Sequence, residues 1–277
     1  MGQHVVLSQI TKDYIVTLAD SGKRLDGRPF EQYRNLRIKV GHIQKAEGSA
    51  EVWLGKTRVL AGVKVQPGTP YPDQPTSGTL STAAEMNPLA APDFEAGPPR
   101  PEGIELARVV DRGVRESGLI DFKKLCITVG EKIWTVFLDI HILDYDGNLF
   151  DACSIAALGA VVSAKVPNKQ YAIADEDVPI PLTTTDPPIS CTVAKVGTQL
   201  LLDPSLDEDL VFDARLTVAC DKDGHVRAMQ KGGSGSLSVA DVKTVIKMSQ
   251  VAGAHIRGVM KDAVASGEAS WDPAGSS

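Results

Sequence analysis

The sequence lacks the features of a membrane or secreted protein. Its 277 residues contain no run of about 18 apolar residues, the length that spans a bilayer as a helix. Its start, MGQHVVLSQITKDYIV, has no basic segment, apolar core and small-residue cleavage site of a signal peptide. We therefore expect a cytoplasmic protein with no membrane partner.

Cysteine and histidine are too few and too scattered for a disulfide framework or a zinc site. The four cysteines lie in apolar stretches with no CxxC pair, and the five histidines show no metal-ligand spacing. We expect Cys126, Cys153, Cys191 and Cys220 to be reduced core residues. Asp221-Lys222-Asp223-Gly224 resembles the start of a calcium loop but lacks the later ligands, so it predicts a hairpin turn. No metal is expected.

Positive charge is in the minority. There are 29 lysines and arginines against 35 acidic residues, a net charge of -6, which excludes a wholly basic nucleic-acid-coating protein but permits a local basic stripe. No P-loop, nucleophile elbow or dinucleotide fingerprint is present. With 43% hydrophobic residues the chain can bury an ordinary core.

Hydrophobic periodicity predicts a first half of strands followed by a helix. An amphipathic helix is predicted over residues 4–19, then a three-stranded meander in RIKV, AEVWL and RVLAGVKV. A loop rich in proline and glycine follows, with a strand at TLSTAAEM. Next come a helix in PEGIELARVVDRGVRES, strands in LCITVG and KIWTVFLDIHILDY, and a helix rich in alanine and glycine after the turn DYDGN.

The second half repeats this order loosely. Strands are predicted in ISCTVAKV and QLLLD, then a hairpin with its turn at Asp223-Gly224, and a long helix from about Val239 to Val264 that begins with a capping box at Ser238 and Asp241. We expect the chain to be divided into an N-terminal helix in residues 1–22, a first subdomain in 23–166, a linker in 167–188 and a second subdomain in 189–277 with the C-terminal helix. The fold class is α/β, α+β-like, since strict strand and helix alternation is absent.

The helix in PEGIELARVVDRGVRES carries a stripe of three arginines. At 100° per residue, Arg108, Arg112 and Arg115 project within about 60° of one another, opposite an apolar side. Such a row fits phosphate recognition, because the guanidinium fork matches phosphate oxygens. The alternative is a solvated face whose arginines pair with nearby acidic residues.

Two carboxylates, Asp203 and Asp209, lie six residues apart in LLDPSLDEDLVFD. Such a pair can hold a hard cation or serve as general acid and base. The alternative is a polar turn at the Asp-Pro step.

The turn Asp146-Gly147-Asn148-Leu149-Phe150 leads into a helix N-terminus, where free N–H groups could hold an anion. The bulk of Leu149 and Phe150 and the charge of Asp151 oppose this. We interpret the turn as structural, with Asp151 as the helix cap.

A long stretch from Arg24 to Ala265 resembles the ribonuclease PH family. The resemblance lies in KRLDGRPFEQYRNLRIKVGHIQKAEGSAEVWLGKTRVLAGVKV, IELARVVDRGVRES, LDIHILDYDGNLFDACSIAAL, LLDPSLDEDL and MQKGGSGSLS. It implies a ribonuclease PH-type fold of two βα units with mixed sheets and packed helices. Within the family the chain is most similar to the non-catalytic ribonuclease PH-domain subunit of the archaeal exosome.

The resemblance implies that this chain does no chemistry. Catalytic members read DGGTR at the turn, with an arginine for phosphate, where this chain has Phe150; Asp203 and Asp209 keep the acidic spacing and are interpreted as remnants. The alternative is an independent phosphorolytic exoribonuclease using both acids, and a third interpretation is a scaffold without RNA contact.

The resemblance also implies the partners. A catalytic sister subunit would alternate with this chain in a hexameric ring, with S1 or KH cap proteins on one face and single-stranded RNA inside. Arg112 and Arg115, with Arg108 beside them, would hold the RNA backbone. No cofactor is expected on this subunit; Mg²⁺ and inorganic phosphate would bind at the sister subunit.

Overall fold

A computed structural model describes residues 9–184 and 186–275 of the chain. The first residues of the predicted N-terminal helix, 4–8, lie outside this part. Within it the helices are α1 (Gln9–Asp20), α2 (Pro101–Arg115), α3 (Leu149–Val162), α4 (Leu206–Val211) and α5 (Val239–Ser266).

The strands occupy the positions that alternation and turn residues predict, with several short additions. They are β1 (Leu36–Val40), β2 (Gly48–Leu54), β3 (Thr57–Gly68), β4 (Thr79–Met86), β5 (Cys126–Thr128), β6 (Lys132–Asp144), β7 (Lys165–Val166), β8 (Val178–Pro179), β9 (Ile189–Val196), β10 (Gln199–Leu202), β11 (Ala214–Cys220), β12 (Val226–Gly232) and β13 (Glu268–Trp271).

The larger sheet has the order β13-β1-β2-β3-β6-β4, with β5 also paired to β6. Its pairs are antiparallel except β4 with β6, which run parallel. Along β3 every second side chain is buried, because alternate residues of a strand point to opposite faces. Val59, Ala61, Val63 and Val65 therefore form one inner face.

The smaller sheet, β10-β9-β11-β12, is antiparallel, and α3 lies between it and the larger sheet. Residues Leu149 to Val161 of α3 are all buried, as expected of a helix that is apolar on every side. Small residues permit the close approach: a Cβ added to Gly159 would lie 2.9 Å from the Ala50 Cβ, and one added to Gly48 would lie 2.2 Å from the Ala160 carbonyl.

The last helix returns the chain to its beginning. α5 starts with the predicted capping box at Ser238 and Asp241, packs on both sheets and ends at Gly267, whose φ of 88° suits glycine. β13 then pairs antiparallel with β1 as the edge strand of the larger sheet. The C-terminal tail thus completes the sheet of the first half.

The structure is the predicted mixed α/β fold, with two main sheets, packed helices and a separate two-stranded sheet of β7 and β8. The turn at Asp223-Gly224 joins β11 to β12, as predicted. Cys153, Cys191 and Cys220 are buried free thiols, and Cys126 is half-buried and free.

Candidate functional site

The turn between β6 and α3 is held by two neighbouring segments. Thr57 Oγ1 accepts a hydrogen bond from the Asp146 N–H at 3.0 Å and donates to the Gly147 carbonyl at 2.8 Å. Gly147 has a φ of 92°, and a Cβ there would lie 2.5 Å from the Leu206 nitrogen at the start of α4. Glycine is therefore required by the turn and by its close contact with α4.

The helix cap is Asn148, so the prediction of Asp151 as the cap is wrong. Asn148 adopts a left-handed conformation, φ 53°, and its side-chain oxygen accepts a hydrogen bond from the Asp151 N–H at 3.4 Å. Asparagine tolerates this conformation better than most residues. The Asp151 side chain is left free to point into the interior.

Asp151 is fully buried between the two halves of the protein. Its carboxylate accepts hydrogen bonds from Tyr33 Oη at 2.6 Å, Asn148 Nδ2 at 2.8 Å, the Thr192 N–H at 2.9 Å and Thr192 Oγ1 at 2.7 Å. Burial raises the pKa of Asp151 to about 6, although these four hydrogen bonds favour the ionised form. The buried Asp151 carboxylate therefore joins the two halves through hydrogen bonds, and both of its oxygens accept at least one.

Phe150 lies under a guanidinium group supplied by another strand. The Arg215 Cζ, on β11, is 4.0 Å from the centre of the Phe150 ring and 5.5 Å from that of Phe212. Arg215 Nη2 also donates to Glu105 Oε1 at 3.4 Å. A cation thus occupies the space beside the turn, but it is stacked on an aromatic ring and paired with a carboxylate.

Asp203 is the counter-ion of the buried Arg34 and the partly buried Arg28. Its Oδ1 accepts from Arg34 Nη2 at 2.8 Å and from Asn148 Nδ2 at 2.7 Å. Its Oδ2 accepts from Arg34 Nε at 3.0 Å, from the Arg34 N–H at 2.8 Å and from Arg28 Nη1 at 3.2 Å. Burial alone would raise the pKa of Asp203. The positive charges of Arg34 and Arg28 and the hydrogen bonds from Arg34 and Asn148 together outweigh burial and hold the pKa of Asp203 below its ordinary value.

Asp209 has a different side-chain partner but lies near Arg34 and the Asn148 N–H, which also favour its ionised form. Tyr145 Oη donates to its Oδ2 at 3.0 Å, whereas its Oδ1 is inaccessible and has no hydrogen-bond partner in the described part of the chain. Burial raises the pKa of Asp209 despite the nearby positive charge of Arg215. Both acids therefore lie beside the turn, Asp203 bound by arginines and Asp209 bound by a tyrosine.

Sequence reasoning missed the three arginines that hold this region together. Arg24 donates to both Glu208 carboxylate oxygens, from Nε at 2.8 Å and from Nη2 at 2.5 Å, while Arg28 and Arg34 bind Asp203. They come from the segment between α1 and β1, far from their partners in sequence. The signal available was the unusual number of arginines in KRLDGRPFEQYRNLR, without any indication of their partners.

The three arginines of the stripe lie on α2 as predicted but differ in their contacts. Arg108 is exposed and has no ion pair with any described residue. Arg112 Nη1 donates to Gln230 Oε1 of β12 at 3.3 Å. Arg115 donates to the Asp111 carboxylate at 2.9 and 3.0 Å and to the Leu80 carbonyl at 2.7 Å. Hydrogen bonds thus hold two of the three in place, Arg112 to β12 and Arg115 to Asp111 and β4.

One group of potential metal ligands occurs in the described residues, on the hairpin turn between β11 and β12. The nearest ligand atoms of Asp221, Asp223 and His225 lie within 4.8 Å of one another. The Asp221 carboxylate already accepts from Arg227 Nε at 2.8 Å and from the Asp223 and His225 N–H groups of its own turn. These bonds explain the cluster as a hairpin turn. Within residues 9–184 and 186–275, no helix has the length and apolar character needed to cross a membrane.

Comparison with known proteins identifies one family over most of the chain. Residues 32–167 match domain 1 of the 3′ exoribonuclease family (RNase PH), and residues 186–252 match domain 2. The exosome complex component Rrp42 of Methanosarcina acetivorans is 47% identical, over 95% of this chain and 98% of that protein. Its counterpart in Thermoplasma volcanium is 51% identical, over 91% and 95%.

Solved structures give the same result. A chain of the Archaeoglobus fulgidus exosome, with RNA bound to the active site, superimposes with a TM-score of 0.86 at 46% identity, covering 90% of this chain and 97% of that one. A chain of an archaeal exosome core superimposes with a TM-score of 0.83 at 43% identity, covering 91% and 96%. The resemblance seen in the sequence, and the fold that it implies, are confirmed.

Proposed function

Since the chain belongs to the 3′ exoribonuclease family with the RNase PH fold, we propose that it is a non-catalytic, RNA-binding subunit of a phosphorolytic exosome ring. The observation that supports this most strongly is the sequence identity to archaeal exosome components, 47 to 51% over more than nine tenths of this chain. The ring degrades RNA from the 3′ end with inorganic phosphate, and this subunit alternates with a catalytic sister subunit.

The local geometry at the turn supports a non-catalytic role. Attack of phosphate on an RNA phosphodiester brings two anions together, so the site must supply positive charge that is free to bind them. At this turn Phe150 is apolar, and the nearby guanidinium of Arg215 is stacked on its ring, with only 12% of the Arg215 side chain exposed to a ligand. Asp203, saturated by Arg34, Arg28 and Asn148, has no oxygen left for a metal or a proton transfer.

The remaining partners follow from the same proposal. Single-stranded RNA is the ligand, S1 or KH cap proteins bind one face of the ring, and the complex works in the cytoplasm. This subunit holds no cofactor of its own. Mg²⁺ and inorganic phosphate bind at the sister subunit.

The division of labour is tested by purifying each subunit alone and both together. We expect phosphate-dependent release of nucleoside diphosphates from the mixed ring, and none from this chain alone, because the turn lacks a free cation. Assembly is checked by mass measurement. Release by this chain alone at a rate comparable to that of the ring would favour the independent exoribonuclease that uses Asp203 and Asp209.

The arginines of α2 are the proposed RNA contacts. Replacing Arg108, Arg112 and Arg115 together by alanine should weaken RNA binding to the assembled ring without preventing assembly. Removing each arginine–phosphate interaction should also reduce the log–log salt dependence of binding by roughly 0.7 for a single strand. Binding is measured without phosphate, so that the RNA stays intact.

The matched control replaces Lys243 and Lys247, which are exposed on α5, by alanine. This change also removes positive charge but lies on a different helix. Equal affinity and salt dependence in the triple arginine variant and the wild-type ring would refute the RNA contact and leave a scaffold without RNA binding.

A further inference from the structure

A chain of polar contacts connects the arginine face of α2 with the turn before α3. Arg112 Nη1 donates to Gln230 Oε1 at 3.3 Å, and Gln230 Nε2 donates to Glu105 Oε1 at 3.2 Å. Glu105 Oε1 also accepts from Arg215 Nη2 at 3.4 Å, and Arg215 rests on the Phe150 ring. The chain therefore starts at a buried aromatic ring and ends at Arg112.

The contacts fix the orientation of the Gln230 amide. A carboxylate only accepts hydrogen bonds and a guanidinium only donates them. The amide nitrogen must therefore face Glu105 and the amide oxygen must face Arg112. The reverse orientation would place the amide oxygen against the carboxylate and the NH₂ group against the guanidinium, which loses both hydrogen bonds.

The base of the chain is largely buried. Phe150 is 8% exposed in the first turn of the fully packed α3, and the Arg215 side chain is 12% exposed between Phe150, Phe212 and Glu105. Arg215 therefore holds Glu105 in place, and Glu105 orients Gln230. A free arginine side chain loses rotamer freedom when it binds, so a prior contact on one of its five N–H groups reduces this loss.

We propose that Gln230 is a positioning residue that holds Arg112 ready to bind an RNA phosphate, and that Glu105 and Arg215 fix the orientation of Gln230. One N–H of Arg112 is used by Gln230, and the others remain for phosphate oxygens. The stacked pair of Arg215 and Phe150 thus supports the RNA-binding helix face. This inference rests on the proposed function in one respect, that Arg112 contacts RNA.

The first test replaces Gln230 by leucine in the assembled ring and measures RNA affinity without phosphate at several salt concentrations. Since no charge changes, an affinity loss reports the position of Arg112. We expect a three- to tenfold loss, the size of one hydrogen bond, and a reduction in salt dependence similar to that of Arg112→Ala. The double variant should lose no more than Arg112→Ala alone, because both changes remove the same interaction.

The matched control is Gln199→Leu on β10, the opposite edge strand of the same sheet, whose side chain contacts Thr198. This variant should bind RNA as the wild type does. Assembly of every variant is checked by mass, and its folding by thermal unfolding.

Glu105 provides a test in which two explanations predict opposite results. General electrostatics predicts tighter RNA binding for Glu105→Leu, because a negative charge near the RNA is lost. The positioning role predicts weaker binding, because Gln230 is no longer oriented. Glu105→Gln should restore binding to near the wild-type level, since its amide oxygen can accept from both Gln230 and Arg215.

The outcomes separate the inference from the proposed function. If Arg112→Ala leaves RNA binding unchanged, the RNA contact itself is refuted. If Arg112→Ala weakens binding while Gln230→Leu does not, or if Glu105→Leu tightens it, the positioning role alone is refuted.

Discussion

At the residue scale, Asp203 has the contacts of a buried counter-ion, although its spacing from Asp209 also suits a pair of catalytic acids. The spacing of Asp203 and Asp209 suggests a pair of acids acting together, but in the structure their side-chain hydrogen bonds differ, although Arg34 and Asn148 influence both carboxylates. Asp203 neutralises Arg34 and Arg28, which lie 169 and 175 residues away in sequence. Asp209 accepts from Tyr145, which stacks on Phe94 with ring centres 5.3 Å apart.

Asp203→Asn should destabilise the protein severely. Removing one charge of a buried, hydrogen-bonded pair leaves the other uncompensated and costs about 3 to 5 kcal/mol. The free energy of unfolding in urea measures this loss. The control is Asp207→Asn, an exposed carboxylate in the first turn of α4, where the lost interaction with the helix dipole is about 0.3 to 1 kcal/mol.

Equal losses in the two variants would contradict the counter-ion role of Asp203. The expected instability also affects how activity data are interpreted. A loss of RNA degradation in Asp203→Asn would indicate chemistry only if the variant remained folded and assembled.

The long-range partners of these residues explain why the site could be predicted only in part. Phe150 in the turn and the arginine spacing on α2 are local features, so the sequence showed both. Arg215 reaches Phe150, and Gln230 reaches Arg112, through strand pairings that local periodicity does not specify. The sequence suggested Asp151 as the helix cap because a carboxylate near a helix start can accept hydrogen bonds from the free N–H groups there. In the structure the Asp151 carboxylate is buried and accepts from Tyr33 and Thr192, which are distant in sequence.

At the element scale, α3 depends on residues small enough to lie between two sheets. Its sequence predicted a close approach, because alanine and glycine repeat along it. Its position between the sheets required the partner strands to be known. The parallel pairing of β4 with β6 and the return of β13 to β1 likewise depend on contacts distant in sequence.

Two helix glycines should respond oppositely to alanine. In α3, Gly159→Ala brings a Cβ within 2.9 Å of the Ala50 Cβ, and such overpacking costs about 1 to 3 kcal/mol, more than the gain of up to about 1 kcal/mol in helix propensity. In α5, Gly258 has nothing within 4 Å of the added Cβ, so Gly258→Ala should stabilise by about 0.5 to 1 kcal/mol.

Thermal or urea unfolding of both variants checks this contrast. A Gly159→Ala variant as stable as Gly258→Ala would show that α3 can move away from β2, and that the tight contact is not required.

At the scale of the whole molecule, the two halves are joined through buried polar groups as well as an apolar core. Asp151 of α3 binds Tyr33 before β1 and Thr192 of β9, and the Thr192 hydroxyl contacts Thr217 of β11 at 2.8 Å. Arg24 binds Glu208 across the same boundary. Since these groups are hydrogen-bonded away from water, loosening the contact between the halves before water enters would leave several buried polar groups without partners at once. We therefore expect the halves to unfold together.

The pKa of Asp151 predicts a specific pH dependence of this junction. The ordinary pKa of the carboxyl is 3.8 and the folded value is about 6, so the folded state binds the proton more tightly. The resulting stability is fully present below about pH 4 and is lost as the pH rises through about 6, a change of about 3 kcal/mol. Asp151→Asn removes this titration. The free energy of unfolding of the wild type minus that of the variant should therefore fall between pH 4 and pH 7.

Asp203 provides the control of opposite sign. Its folded pKa lies below the ordinary value, so its contribution is present above about pH 4 and is lost as the pH falls further. The difference between wild type and Asp203→Asn should thus shrink on acidification, whereas the difference for Asp151→Asn grows. Urea unfolding across the range measures both differences under the same conditions, so titrations common to all three proteins cancel. A difference for Asp151→Asn that stays level or rises between pH 4 and pH 7 would mean that the junction holds a permanent carboxylate charge, stabilised by its four hydrogen bonds.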